Sequence, residues 1–444
     1  MSILNVNKIN PVGGGSTITI AGIASVTSSV TAPSFVGDVT GAVTGNVTGN
    51  VTGNVTGNVT GDATGLSGNP SINTTGIVTA TSFVPTVGQL SHRNLIVNGA
   101  MQVAQRATTY TGANPFTTVD RFRLNHTGLN EDCTTAQADV ASGTTPYTLG
   151  FRKAFKITNG NHTAGAGAGD RIAIQYRIEA QDVANSGWNY VSSSSNITLQ
   201  FWVKSSVAQN FYGRLYTSDG TSQNYPFETG SLSADTWTKI TKTIPGNSNL
   251  TFDNDNGRGL DVEFTLFRGT NETGSVTLNQ WAAFNSGTYT PDNTSTWYTT
   301  NDATFELTGV QLEVGDTATS FEHRSHGEEF ERCQRYYQQY VNISAVGYVP
   351  DNSSRSYSHA VPLPVAMRSG PTMSITNTGS SNGQMISDGD TNRYISSLLS
   401  QGSKTTHMSA SFNLTGDLAN FRGAYLIGTT NTTSQTTYKL DAEL

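Results

Sequence analysis

The chain has 444 residues, room for two to four modules at roughly 150 residues each. Small polar residues dominate, with 65 Thr, 45 Ser, 46 Gly and 38 Asn, while charged residues supply only 13%. With 8 Lys and a formal net charge of -7, the composition excludes a helical bundle, a charge-rich disordered tail and the basic surface of a nucleic-acid binder.

What remains is an all-β chain of a surface-exposed type, in which Thr, Val and 40 aromatics make strands and Gly and Asn make turns. The opening MSILNVNKIN has no basic stretch followed by an apolar one, so no secretory signal is expected. No apolar run is long enough to span a membrane, and no membrane insertion is expected. A surface composition without an export signal fits assembly in the cytoplasm and release by lysis. Residues 1–37 are read as an attachment segment.

From Asp38 to Gly65 the chain repeats DVTG, AVTG, four NVTG units and DATG without a slip in phase. A helix is excluded, because one Gly per unit costs about 1 kcal/mol against Ala. In an extended strand Val and Gly share one face and Thr and Asn the other. One such strand has nothing to bury against. The strict phase therefore predicts a thin shaft in which several copies meet on one axis, with Val39, Val43, Val47, Val51, Val55 and Val59 at the interface. The alternative is a flexible linker. Val30–Val36 and its near-repeat Val78–Val84 flank the array, and the shaft with its flanks covers 38–90.

Residues 91–324 read as one β-sandwich. Ile197, Leu199, Phe201 and Val203 alternate along one strand, Leu260, Val262, Phe264 and Leu266 along another, and Thr304–Glu313 forms a third. Within it Asp253–Gly257 faintly resembles a calcium loop, but Phe264 stands where the chelating Glu is needed, so no metal is assigned. Aromatics in Asn-, Ser- and Gly-rich loops are the candidates for stacking on a sugar: Trp188, Tyr190, Trp281, Trp297 and Tyr298. Trp202 and Trp237, on strand patterns, are assigned to the core.

Ser325 with Glu328 makes a capping box that starts a helix over 325–341. Phe330, Cys333, Tyr337 and Tyr340 fall at heptad-like spacing, which predicts a seam buried by three copies. The other reading packs this helix on its own domain. Cys133 and Cys333 form no metal-ligand pattern, and nothing argues for a disulfide between them. Residues 342–444 read as a C-terminal β-sandwich tip, with strands at Ser356–Val361, Thr372–Thr376, His407–Phe412 and Ala424–Ile427. Its loops Gly379–Gly383 and Asp388–Asn392 are candidate receptor contacts. No HExxH, GxSxG or phosphate-loop motif occurs, so neither an enzyme nor a cofactor is expected.

Asn94–Val103 (NLIVNGAMQV), Val119–Phe122 (VDRF), Phe201–Lys204, Trp237, Thr308–Gly315 (TGVQLEVG), Phe321–Tyr337 and the final DAEL resemble bacteriophage tail-fibre proteins. The VTGN array is similar to structural proteins of cyanobacterial phages. The resemblance implies an elongated homotrimeric fibre with a jelly-roll module of the carbohydrate-binding type. It also implies virion tail or neck proteins as partners through the N-terminus and a host surface polysaccharide as target. Other roles left open are a decoration, neck or capsid fibre without a receptor, and a polysaccharide depolymerase tailspike.

Overall fold

The computed structural model describes residues 92–444 except 163, 342, 344–345, 349–353, 359–360, 377–384, 388–391, 419–422 and 428–435. The attachment segment, the VTGN shaft with its six valines, and the tip loops at 379–383 and 388–391 lie outside the described residues. None of the described helices is long and apolar enough to cross a membrane.

The sandwich begins with β1 (Thr109–Thr111), β2 (Phe122–Thr127), β3 (Thr134–Asp139), β4 (Lys153–Thr158), β5 (Arg171–Glu179) and β6 (Asn196–Ser205). It continues with β7 (Asn210–Thr217), β8 (Gln223–Ser231), β9 (Thr238–Pro245), β10 (Arg258–Arg268), β11 (Ala282–Ala283) and β12 (Thr304–Val314). These form two six-stranded sheets, ordered β1-β3-β4-β12-β6-β9 and β11-β8-β7-β10-β5-β2. Consecutive strands cross repeatedly from one sheet to the other, the jelly-roll habit. The alternating apolar sets of β6 and β10 are buried and meet between the sheets, with the Phe201 and Phe264 rings 4.8 Å apart. In β12 the alternation breaks: Phe305 and Leu307 are followed inward by Val310 and Leu312. A bulge between Thr308 and Gln311 resets the pairing with β6. Gly309 sits there at φ +63, and a Cβ on it would meet the Phe151 ring at 2.8 Å.

Trp202 and Trp237 are not in the core. Trp202 follows Phe201, so strand alternation turns it to the outer face of the first sheet. There both rings are half-buried and pack on a small cluster around Phe151.

The helix α1 (Thr145–Thr148), α2 (Ala180–Ala184) and α3 (Thr296–Thr299) are single turns. The longer α4 spans His326–Gln334, not 325–341. Its start follows the expected rules: Ser325 Oγ accepts from the Glu328 N–H at 3.2 Å, and Arg332 pairs with Glu328 one turn back. The stop comes early because the chain leaves the helix for a strand that starts at Tyr337, and between the two Arg335 is held to Glu179, with two nitrogens each 2.7 Å from its carboxylate. Two members of the predicted seam, Cys333 and Tyr337, are thus covered by this chain itself. Cys333 and Tyr337 are buried, and Phe330 and Tyr340 are half-buried, Tyr340 against the C-terminal core. Both cysteines are free buried thiols.

The C-terminal strands are β13 (Tyr337–Val341), β14 (Val346–Tyr348), β15 (Arg355–Ser358), β16 (Val361–Pro362), β17 (Thr372–Thr376) and β18 (Met385–Ser387). β19 (Asn392–Gln401), β20 (His407–Met408), β21 (Ala410–Leu414), β22 (Gly423–Ile427) and β23 (Thr437–Asp441) complete them. Where a second sandwich is expected, six of these close into a barrel, β14-β15-β21-β19-β18-β22, beside a three-stranded sheet β13-β23-β17.

A buried polar seam joins the sandwich to this region. Arg121 pairs with Glu443 and lies 3.4 Å over the Tyr336 ring, while Arg106 reaches Asp441 at 3.1 Å and stacks on Tyr337 at 3.7 Å. The Asn98 N–H donates to Glu329 Oε1 at 2.5 Å, and Arg368 Nε donates to the Ala442 carbonyl at 2.8 Å. Many of the residues that carry the sequence resemblance, in NLIVNGAMQV, VDRF, the α4 stretch and DAEL, converge on this seam.

Candidate ligand-binding site

The loop aromatics proposed for sugar stacking fold inward. Trp188 is 3% exposed, Trp281 6%, and Trp297 and Tyr298 0%. Each indole N–H is satisfied by a backbone carbonyl: Trp188 by Ser195 at 3.2 Å, Trp281 by Pro245 at 2.7 Å, Trp297 by Thr304 at 3.0 Å. The Tyr298 hydroxyl donates to Asp170 at 2.6 Å. With the polar tip satisfied, burying a large ring is favourable even from a polar loop. Tyr190 is half-buried and packs edge-on to Phe252, with centroids 5.0 Å apart. None of the four buried rings presents a face to a ligand.

The structure instead concentrates functional groups on the outer face of the second sheet. Its inward residues are apolar, such as Ile174, Tyr176, Leu215, Val262 and Phe264. Alternation turns their neighbours outward, and strand register aligns them. Arg123 on β2 lies opposite Gln175 on β5, Gln175 opposite Glu263 on β10, and Glu263 opposite Arg214 on β7. The next row places Arg177, Asp261 and Tyr216 side by side. A recess of about 340 Å³ opens over these rows, lined also by Asn125, Arg171, Arg258, Arg268, Phe284 and Tyr289.

Three rings form one wall. Tyr216 and Phe284 meet edge to face at 4.9 Å, and Phe284 and Tyr289 at 5.1 Å. All three are half-buried and so keep exposed surface. Guanidinium groups brace the wall, Arg214 4.3 Å and Arg268 4.0 Å from the Tyr289 centroid, and Arg258 5.0 Å from that of Tyr216.

Charge in the floor is layered. Burial alone would push the Glu263 carboxyl up, but the Arg214 and Arg268 guanidiniums outweigh it and hold it well below the usual carboxylate range. Those contacts are 3.1 Å from Arg214 and 2.6 Å from Arg268. Arg258 donates to Asp261 at 2.7 Å, and Arg171 reaches Glu272 at 2.8 Å. Arg177 donates to the Leu444 oxygen at 2.5 Å, and burial pushes it down to about 10, against the pull of Asp261, while Arg258, Arg123 and Arg121 push the same way. Burial likewise lowers Arg123, with Asp261 opposing and Arg258 and Arg171 adding to the effect.

No protein-family model and no curated protein sequence matches the chain. Solved structures similar to it include the enzymatically active domain of bacteriophage CBA120 tailspike protein 4, at 9% identity and TM-score 0.27, over 50% of this chain and 21% of that one. The chain thus matches about a fifth of the tailspike domain's length. A family 4 carbohydrate-binding module is 12% identical with TM-score 0.25, over 49% of this chain and 98% of that one. A tandem family 22 module from Paenibacillus barcinonensis Xyn10C is 11% identical with TM-score 0.23, over 76% and 98%. At these scores the likenesses bear on no residue and no activity of this chain, and its all-β class rests on its own strands.

Proposed function

We propose that the chain is a homotrimeric virion fibre that adheres to a host-surface glycan through the recess of the second sheet. The observation that carries the reading is the wall of Tyr216, Phe284 and Tyr289 beside a floor of planar hydrogen-bonding side chains. Half-exposed rings offer flat faces to the apolar side of a pyranose, and Gln175, Asn125 and the guanidiniums offer partners to its hydroxyls. The floor stands on paired strands, so binding orders little that is not already ordered. The role is binding without bond cleavage. The virion setting and the threefold number rest on the resemblance of the sequence motifs, and the association of copies on the strict VTGN phase. Three linked copies would turn weak single contacts into useful avidity.

The test is labelling of a bacterial panel and of immobilised polysaccharides by the fluorescent full-length protein. Phe284→Ala is expected to weaken binding about tenfold, equal to about 1.4 kcal/mol. Absence of labelling throughout would instead favour a structural fibre, and release of reducing ends a depolymerase. Light scattering checks the assembly, and a stable monomer at micromolar concentration overturns it.

A further inference from the structure

Six guanidinium groups line the recess: Arg123 from β2, Arg171 and Arg177 from β5, Arg214 from β7, and Arg258 and Arg268 from β10. Their ion pairs among the described residues reach three carboxylates, Asp261, Glu263 and Glu272. Glu263 is shared by Arg214 and Arg268, Asp261 by Arg177 and Arg258, and Glu272 by Arg171 and Arg268. Arg123 has no ion pair among the described residues, and its guanidinium lies 5.6 Å from the centroid of the Phe116 ring. Among the described residues, the buried Nε atoms of Arg123, Arg171, Arg177 and Arg214 have no hydrogen-bond partner, and neither does Gln175 Oε1.

This is a costly arrangement for a chain that is acidic overall. Like charges gathered on a partly desolvated face repel, and the three carboxylates are already spent on their nearest partners. A guanidinium is built to hold an oxyanion through paired, planar hydrogen bonds. Arg177 is held by Asp261 and by the Leu444 oxygen at 2.5 Å, and Arg171 by Glu272. The uncompensated charge is therefore that of Arg123, and an anion resting between it and its neighbours Arg171 and Arg177 would balance it.

We propose that the recess is selective for an acidic saccharide, with a carboxylate or sulfate of the sugar held by Arg123 together with Arg171 and Arg177 while its ring lies against the aromatic wall. This rests on the glycan reading above and narrows it to one chemical class. Arg123 is the diagnostic residue. It has no ion pair to lose, so its removal relieves repulsion at the cost of one ring contact, that with Phe116.

The experiment uses the full-length protein and two matched pairs of probes: dextran sulfate against dextran, and polygalacturonate against its methyl ester. Inorganic sulfate is the free-anion arm. The expected result is binding of at least one charged member and at least about tenfold weaker binding of its neutral match. Arg123→Gln should lose about tenfold in affinity for that charged member with an unchanged or higher Tm, Arg123→Lys should retain most of it, and Lys239→Gln on β9 of the other sheet should leave it unchanged. Equal binding of both members of each pair, lost in Phe284→Ala but not in Arg123→Gln, overturns the selectivity and leaves the glycan role standing. Equal loss in Lys239→Gln also overturns it, by showing diffuse attraction. Inorganic sulfate that binds as tightly as a sugar repeat overturns the saccharide as the source of the anion. Failure to bind any probe or any cell overturns both readings.

Discussion

At the scale of single residues, the second sheet shows how a polar floor is kept stable. Glu263 is fully buried between two guanidiniums, so its charge is tolerated only because both partners are in place. Glu263→Gln leaves two buried cations short of a counter-charge. It should lower unfolding stability by about 3–5 kcal/mol in urea titrations at pH 7. The dependence on pH has a definite sign. The folded-state pKa lies below the unfolded value of about 4.3, so the stabilisation is complete above that pH and is lost as pH falls toward the folded value. The gap between wild type and Glu263→Gln should therefore be constant above about pH 5 and narrow below about pH 4. A gap that stayed constant down to pH 2 would show that Glu263 carries no depressed pKa.

At the scale of elements, what could be read from sequence followed the physics of the local pattern. Alternation along β6 and β10 gave the inward faces, and Ser325 with Glu328 gave the start of α4, because both signals lie within a few residues. The end of α4 was not legible, since the chain leaves it for β13, which pairs with β23 about a hundred residues further on. Nor was the recess. Its rows exist only once Arg123, Gln175, Glu263 and Arg214 are aligned by pairing among four strands. One signal was available, an Arg at outward positions of strand after strand, and the reading of loop aromatics passed over it. That reading failed because a loop indole with a backbone acceptor prefers the interior. The same sheet also explains Gly213 in the middle of β7. A Cβ there would stand 2.4 Å from the Phe227 ring and 2.7 Å from the Glu263 carbonyl oxygen, which is fixed in the ladder. Gly213→Ala should cost about 1–3 kcal/mol and shift β10 beneath the recess. Thermal unfolding together with glycan affinity measures both effects, and a variant with wild-type values for both would remove close packing as the reason for this glycine.

At the scale of the whole described region, the polar seam couples the sandwich to the C-terminal sheets. β23 is the middle strand of β13-β23-β17, and the residue two beyond its end, Glu443, is buried against Arg121. Arg121 itself is 1% exposed and holds a left-handed backbone at φ 73, a conformation that a bulky residue adopts only when its surroundings fix it. Burial opposes its charge, and Glu443 together with the Tyr336 and Tyr176 rings more than offsets this. Arg106 adds a second grip on Glu443 at 3.4 Å and on Asp441, and Arg368 ties the backbone of Ala442 to that of Asn256 in the loop before β10. Unfolding of the sandwich therefore strips the C-terminal sheet of its buried partners, and loss of β23 leaves Arg121 as an unpaired buried cation. The two regions should melt in one calorimetric transition. Glu443→Gln should lower that transition and split it in two, at a cost of about 3–5 kcal/mol to the coupled state. Pairing it with Arg121→Met, which removes the stranded charge, should recover a substantial part of the loss. Two separate transitions already in the wild type would mean that the seam does not couple the regions, and a double variant no better than Glu443→Gln alone would mean that the cost is not that of an uncompensated charge.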